Sequence, residues 1–171
     1  MLDSAWANIA MEAESGLVPG RLARGSRCFG AWVGHELVGY GWLSTKSEWI
    51  GEVELEIGLP AGEAYIWNCV TLARHRRKGV FRSVVTSIVG QAHKEGLARL
   101  WIASLVGVGG NAIQKAGFEP VLRFDSGKRL GLHWIRVVPM QGVDPGLAAA
   151  ARNALAVRAG LSVRRSKSRR H

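Results

Sequence analysis

With 171 residues, 47% of them hydrophobic, the chain is sized for one globular domain with a core of its own. No window approaches the ~18 uninterrupted apolar residues of a membrane helix, and the acid-bearing start MLDSAWANIAMEAESG lacks the basic region of a secretory signal. The expectation is therefore a soluble, cytoplasmic protein with no membrane contact. The formal net charge of +10 is unevenly placed: residues 1–73 hold nine acids and four bases, residues 74–171 four acids and nineteen bases. A nucleic-acid partner is thus admitted but not required.

Residues 3–13 read as a short helix. The segment SRCFGAWVGHELVGYGWLST (26–45) follows as two strands joined at Val33-Gly34-His35-Glu36, a hairpin turn with a glycine inside. LEIGLPAGEAY carries Pro60 and two glycines and reads as a loop before the strand EAYIWNCVTL (63–72). From Val80 to Glu95 the period changes, with Phe81, Val84, Val85, Ile88 and Ala92 on one helical face and Gly96 as the stop. RLWIASLV is a strand, GNAIQKAG a short helix ended by Gly117, and FEPVLRF a further strand. A turn at Asp125-Ser126-Gly127-Lys128 leads to a last strand, GLHWIRVVPM. Residues 144–158 form a helix with an Asp-Pro start, and residues 159–171, six bases without an acid over the last fourteen positions, read as a disordered tail. The main domain spans 1–143, without repeats or an internal linker.

Cys28 and Cys69 each lie in an apolar run and read as buried thiols of a reducing compartment, not as a disulfide. The five histidines have no metal-ligand spacing, so no metal is expected, and no G-x-S-x-G marks a nucleophile. The order of elements gives an α+β class, a mixed but mostly antiparallel sheet with a strand–helix–strand crossover in its middle. Where the crossover helix begins, the chain reads RHRRKGVFRS, residues 74–83. A helix N-terminus offers unpaired N–H groups and the positive end of a dipole. Gly79 permits close backbone approach, and Arg76, Lys78 and Arg82 complete a cradle for a diphosphate.

VTLARHRRKGVFRSVV resembles motif A of the GNAT superfamily of N-acetyltransferases, an R/Q-x-x-G-x-G/A loop after a central strand. Arg76-Arg77-Lys78-Gly79-Val80-Phe81 takes the pattern, with Phe81 where the family usually has a small residue. QKAGFEPVLRF resembles the helix-to-strand segment that ends these domains, and the two together span residues 27–138. The resemblance implies a GNAT-like acyl-CoA N-acyltransferase fold with acetyl-CoA as cofactor. Asn68, Cys69, Val70, Thr71 and Leu72 would run along the pantetheine arm. The amides of Arg77, Lys78, Gly79, Val80, Phe81 and Arg82 would hold the pyrophosphate, and a splay between the central strand and RLWIASLV would admit the thioester.

GVGGNA at 107–112 also fits the G-x-G-x-x-A of a dinucleotide fold, but its helix is short and no further βα units follow. Gly107 to Gly110 read instead as a flexible connection, with Asn111 as a polar contact beside the cofactor. Acetyl transfer to an amine needs a general base. Alternation places Glu63, Tyr65, Trp67 and Cys69 on one face of the central strand and Ile66, Asn68 and Val70 on the other. Glu63 is the first candidate for the base and Tyr65 the second; Glu54 and Glu56 border the expected cleft. The family's usual acid, a tyrosine four residues before the Gly-Phe pair, is replaced here by Ile113. Of the seven tryptophans, Trp32, Trp42, Trp67, Trp101 and Trp134 are expected mostly in the core, with Trp42 and Trp67 able to line an acceptor pocket. Only 26 residues precede the first strand, room for little more than one helix: either the acceptor side is pared down, a second subunit completes it as in a homodimer, or the true start lies upstream. The expected function is acetyl transfer from acetyl-CoA to a small-molecule or protein amine. The rivals are a CoA-binding module with little turnover and a nucleic-acid-binding protein.

Overall fold

The computed structural model describes residues 4–50, 55–104, 110–129, 132–155 and 160–165. In chain order the elements are α1 (Ser4–Met11), a 3-10 segment (Glu12–Leu17), α2 (Val18–Ala23), β1 (Arg27–Val33), β2 (Glu36–Ser44), β3 (Glu48–Ile50), β4 (Leu55–Ile57), β5 (Glu63–Thr71), a 3-10 turn (Ala73–His75), α3 (Val80–Lys94), β6 (Arg99–Ile102), α4 (Gly110–Lys115), β7 (Leu122–Arg129), β8 (Leu132–Pro139), α5 (Pro145–Ala154) and β9 (Gly160–Arg165). They divide into two compact units where the sequence suggested one: Met1–Lys46 with Leu59–Phe118, and Ser47–Gly58 with Glu119–His171.

The first unit is built on a four-stranded sheet of order β1-β2-β5-β6. Its first three strands pair antiparallel; β5 and β6 are parallel and joined by α3, the crossover that parallel strands require. One face carries Trp42, Tyr40, Cys28 and Leu37, packed with Ala7 and Met11 of α1 and Val18 of α2. The other face carries Phe29, Leu43, Ala64 and Ile66, packed with Val84, Val85 and Ile88 of α3. The helical period predicted for α3 is met, and Ala92 is buried with them. The start of the chain holds more than the one helix expected. Pro19 sits in the first turn of α2, where its missing N–H costs no hydrogen bond.

The alternation along β5 fails at one residue. Tyr40 pairs with Val70 but Trp42 with Trp67, so Asn68 and Cys69 together oppose Gly41. This is a β-bulge, and Asn68 takes the left-handed φ of +43° that it needs. The extra residue reverses the faces beyond it. Cys69 therefore joins Ala64 and Ile66 on the α3 side, and Val70 joins Trp67 on the α1–α2 side, opposite to the even alternation expected.

In the second unit β7, β8 and β9 form a three-stranded antiparallel sheet, and β3 pairs with β4. The Gly58 N–H donates to the carbonyl of Ala154, which ties the end of β4 to α5. Asp144 caps α5, its side chain accepting from the Leu147 amide at 2.8 Å, a contact worth ~1 kcal/mol. Two expectations are corrected here. Asp125 to Lys128 form no turn but continue β7, paired with Arg136 to His133 of β8. Gly127 is there because a Cβ would meet the Trp134 indole at 2.6 Å, a close approach and not a bend. Residues 160–165, expected within a disordered tail, form β9.

Candidate active site

Glu63 to Ile66 of β5 pair with Arg99 to Ile102 of β6, and there the pairing ends. β5 continues to Thr71 with, among the described residues, only β2 paired to it, so the edge that faced β6 is unpaired there from Trp67 onward. The bulge at Asn68 lies at that divergence. At the far end of the open stretch the Thr71 hydroxyl is buried and has no hydrogen-bond partner among the described residues. A buried hydroxyl without a partner is costly in water-free surroundings, which fits a place that a ligand's polar group fills.

From Thr71 the chain passes through the 3-10 turn to the N-terminus of α3. Gly79 is the N-cap with φ +81°, and Arg77 is also left-handed at +63°. No side chain caps the helix. Ser83 donates to Gly79 O, so the amides of Val80, Phe81 and Arg82 precede the first intrahelical bond. Arg76, Arg77, Lys78 and Arg82 are exposed around them. Phe81, the departure from the small residue expected, packs into the α3-side core, which leaves its amide at the helix start. A Cβ on Gly79 would meet nothing within 4 Å, so open space lies in front of these donors. Amides and cations in this arrangement suit the diphosphate of a ligand such as acetyl-CoA, whose pantetheine arm runs up to that group. Leu72 is the exception: its N–H is taken by Val38 O.

The approach to the helix is pinned by charge. Glu36, at the start of β2, accepts from His75 at 3.0 Å and pairs with Arg74. The His75 hydrogen bond, with Arg74 beside it, holds Glu36 below the usual carboxylate range. Arg74 and His75 thus each have a partner in Glu36, while Arg76, Arg77, Lys78 and Arg82 are exposed.

The residues expected to act as base lie elsewhere. Glu63 is buried at the closed end of β5, where it accepts from the Arg99 guanidinium and, at 2.6 Å, from Trp101 Nε1. Both its oxygens are used in joining β5 to β6. Tyr65 is likewise buried, two residues on, opposite Trp101. Glu54 lies outside the described residues, and Glu56 is exposed on β4 of the second unit. Asn111 is exposed in the first turn of α4, and Ile113 is half-buried in the same helix; Gly107 to Gly109 lie outside the described residues. Both thiols are free, and burial pushes Cys28 and Cys69 up to about 12, so neither serves as a nucleophile. Trp32 is 38% exposed and not core.

A cluster that the sequence reading missed sits on the α1–α2 side of the bulge. Arg21 of α2 is buried, with its guanidinium 4.7 Å from the Trp67 ring and 5.3 Å from that of Trp42. Its Nη1 donates to Met11 Sδ and its Nη2 to Glu14 Oε2, both at 3.1 Å. The same Glu14 oxygen accepts from Asn68 Nδ2 at 3.4 Å. Trp67 Nε1 donates to Ser44 Oγ, which in turn hydrogen-bonds the Ser26 hydroxyl. The one signal in the sequence was an arginine three residues after Val18, on the face of α2 that is otherwise apolar.

No curated protein matches the chain. Solved structures do. An acetyltransferase from Bacillus subtilis in complex with CoA is 21% identical, with 67% of this chain and 64% of that one covered and a TM-score of 0.48. Glucosamine-6-phosphate N-acetyltransferase from Arabidopsis thaliana is 11% identical, covering 68% and 78%, TM-score 0.48. A ribosomal-protein-alanine N-acetyltransferase from Brucella melitensis is 13% identical, covering 67% and 83%, TM-score 0.47. Residues 5–114, most of the chain and all of the divergent strand pair and helix N-terminus, match the model of the Acetyltransferase (GNAT) family, and the protein belongs to that family, whose cofactor is acetyl-CoA.

Proposed function

We propose that the protein is an N-acetyltransferase that moves the acetyl group of acetyl-CoA to an amine. The observation that carries this reading is the run of open β5 edge from Trp67 to Thr71 leading straight into the uncapped start of α3. Cys69, Val70 and Thr71 line the pantetheine arm with their backbone, and the Thr71 hydroxyl finds its partner there. The amides from Arg77 to Arg82 take the pyrophosphate, with the Arg76, Arg77, Lys78 and Arg82 side chains as counter-charges and Asn111 as a contact at the rim. Bound acetyl-CoA supplies an acyl group already activated as a thioester. Ile113 cannot donate a proton, but a thiol with a reference pKa of ~8.5 leaves tolerably as thiolate, so turnover needs no acid at that position. The nucleic-acid reading is weakened at Arg74, whose charge is paired with Glu36.

Calorimetric titration with acetyl-CoA tests the reading. Gly79→Asp, which sets a carboxylate before the amides, should abolish binding with the fold intact by circular dichroism. Gly79→Asn, which tolerates the left-handed φ without the charge, should keep most of it. Equal affinity in wild type and Gly79→Asp would overturn the cofactor assignment. Thiol release with a panel of primary amines then separates an enzyme from a module that only binds CoA.

A further inference from the structure

Glu14 is held by one oxygen only. Its Oε2 accepts from the buried guanidinium of Arg21 and from the amide of Asn68; Oε1 has no hydrogen bond among the described residues, and the side chain is 54% exposed. Asn68 is the bulge residue, two positions past Ile66, where β5 and β6 part. A carboxylate therefore stands beside the bulge where β5 and β6 part, with one oxygen free of hydrogen bonds among the described residues. Arg21, stacked over Trp42 and Trp67, cannot move away and is the only charged group in contact with Glu14 among the described residues.

We propose that Glu14 is the acceptor-site carboxylate: it receives the ammonium group of a cationic primary amine and takes its proton. This rests on the N-acetyltransferase reading. The base then comes from the helical segment over the sheet, not from the strand, where Glu63 is already committed to Arg99 and Trp101. The step balances as follows. An ammonium gives one proton to Glu14, which later passes it to water. The neutral nitrogen forms a bond to the thioester carbonyl carbon, the carbon–sulfur bond breaks with its electron pair left on sulfur, and the second amine proton ends on that sulfur. The arginine and the asparagine position the carboxylate by occupying Oε2, which leaves Oε1 as the acceptor.

The test compares wild type, Glu14→Gln and Asn68→Gly, using propylamine, 2-phenylethylamine and spermidine as probes. Glu14→Gln keeps an oxygen for Arg21, and glycine at 68 keeps the left-handed φ while removing the amide. Calorimetry of each amine onto the CoA-loaded protein should show at least tenfold weaker binding in Glu14→Gln, with acetyl-CoA affinity unchanged. At pH 7 kcat should fall ~10²-fold. The deficit should shrink as pH approaches the amine's own pKa, ~10.4 for a lysine-like group, because the free amine then arrives neutral. Asn68→Gly should raise KM for the amine more than it lowers kcat. Wild-type amine affinity and pH profile in Glu14→Gln, or a deficit equal at every pH, would overturn the assignment while wild-type turnover upheld the enzyme. Wild type that binds acetyl-CoA but turns over none of the amines would overturn the reading beneath it and the proposal together.

Discussion

The first half of β5 has strands on both edges and a glutamate whose two oxygens are both bonded inside the protein. Among the described residues the second half pairs with β2 on one edge and with no strand on the other, and it carries a bulge, a hydroxyl without a partner and, bonded to its bulge residue, a half-exposed carboxylate. The two halves contain similar residues, and a polar side chain in either would be a plausible catalyst by type alone. What distinguishes them is whether the fold has already satisfied the polar groups. The closed half spends its hydrogen bonds on holding the sheet together, and the open half leaves its own for something else.

The sharpest way to break the comparison is at Glu63. Glu63→Ala should leave the Trp101 indole without its acceptor and Arg99, 39% exposed, to water, at a cost of ~2 kcal/mol. Chemical denaturation should record that loss, while the acetyl-CoA affinity of the folded protein stays at the wild-type value. A stable variant without turnover would return Glu63 to the chemistry. In the open half the sign should reverse. Thr71→Val removes a buried hydroxyl that pairs with nothing, so stability without ligand should rise by ~1 kcal/mol and acetyl-CoA should bind several-fold more weakly. A loss of stability would mean that the hydroxyl is already satisfied.

The smallest effect concerns a bridge that belongs to neither half. Arg27 of β1 donates to both oxygens of Glu95, at 2.5 and 2.7 Å, and Gln91 adds a third bond. The Arg27 hydrogen bonds, with that of Gln91, bring Glu95 down to about 2 from 4.5. Its folded pKa lies below the unfolded one, so the contribution is present above about pH 4.5 and fades as pH falls toward 2. Both side chains keep roughly a quarter to a third of their exposure, so solvent limits the effect to under ~1 kcal/mol. Glu95→Gln should lower the melting temperature slightly at pH 7 and leave it unchanged near pH 2.

Much of this was readable in the chain. The period of Val84, Val85, Ile88 and Ala92, the glycines at 79 and 96, and the hairpin turn at Gly34-His35 are local signals, and each element formed where they placed it. The basic segment before Val80 marked the start of α3 for the same reason. The bulge at Asn68 was not readable, because it depends on Gly41 across the strand, and that pairing is set by the whole sheet. Once the faces reverse there, every assignment drawn from even alternation past that point reverses with them, Cys69 and Val70 included. The bonding of Glu63 was unreadable for a related reason. Its partners Arg99 and Trp101 lie more than thirty residues away, and nothing near Glu63 in sequence announces that it is taken. Gly127 shows the opposite trap: Asp-Ser-Gly-Lys has turn chemistry, yet the glycine makes room for the Trp134 ring.

Strand β2 carries two bare positions beneath α3. A side chain at Gly39 would begin 2.7 Å from Val80 Cγ1 and 2.8 Å from the carbonyl oxygen of Val70; one at Gly41 would meet Cys69 Sγ at 2.8 Å and Val84 Cγ1 at 2.9 Å. The absence of side chains there works as a spacer gauge. It sets the height at which the first turn of α3 rides over β5, and with it the offset between the open strand edge and the helix amides. Because Val70 O is backbone and cannot rotate aside, even one methyl group at residue 39 would force β2 and β5 apart while pressing on Val80 in the first turn of α3. A residue on the buried side of the sheet thereby acts as a remote adjustment of where the helix amides lie against the open strand edge.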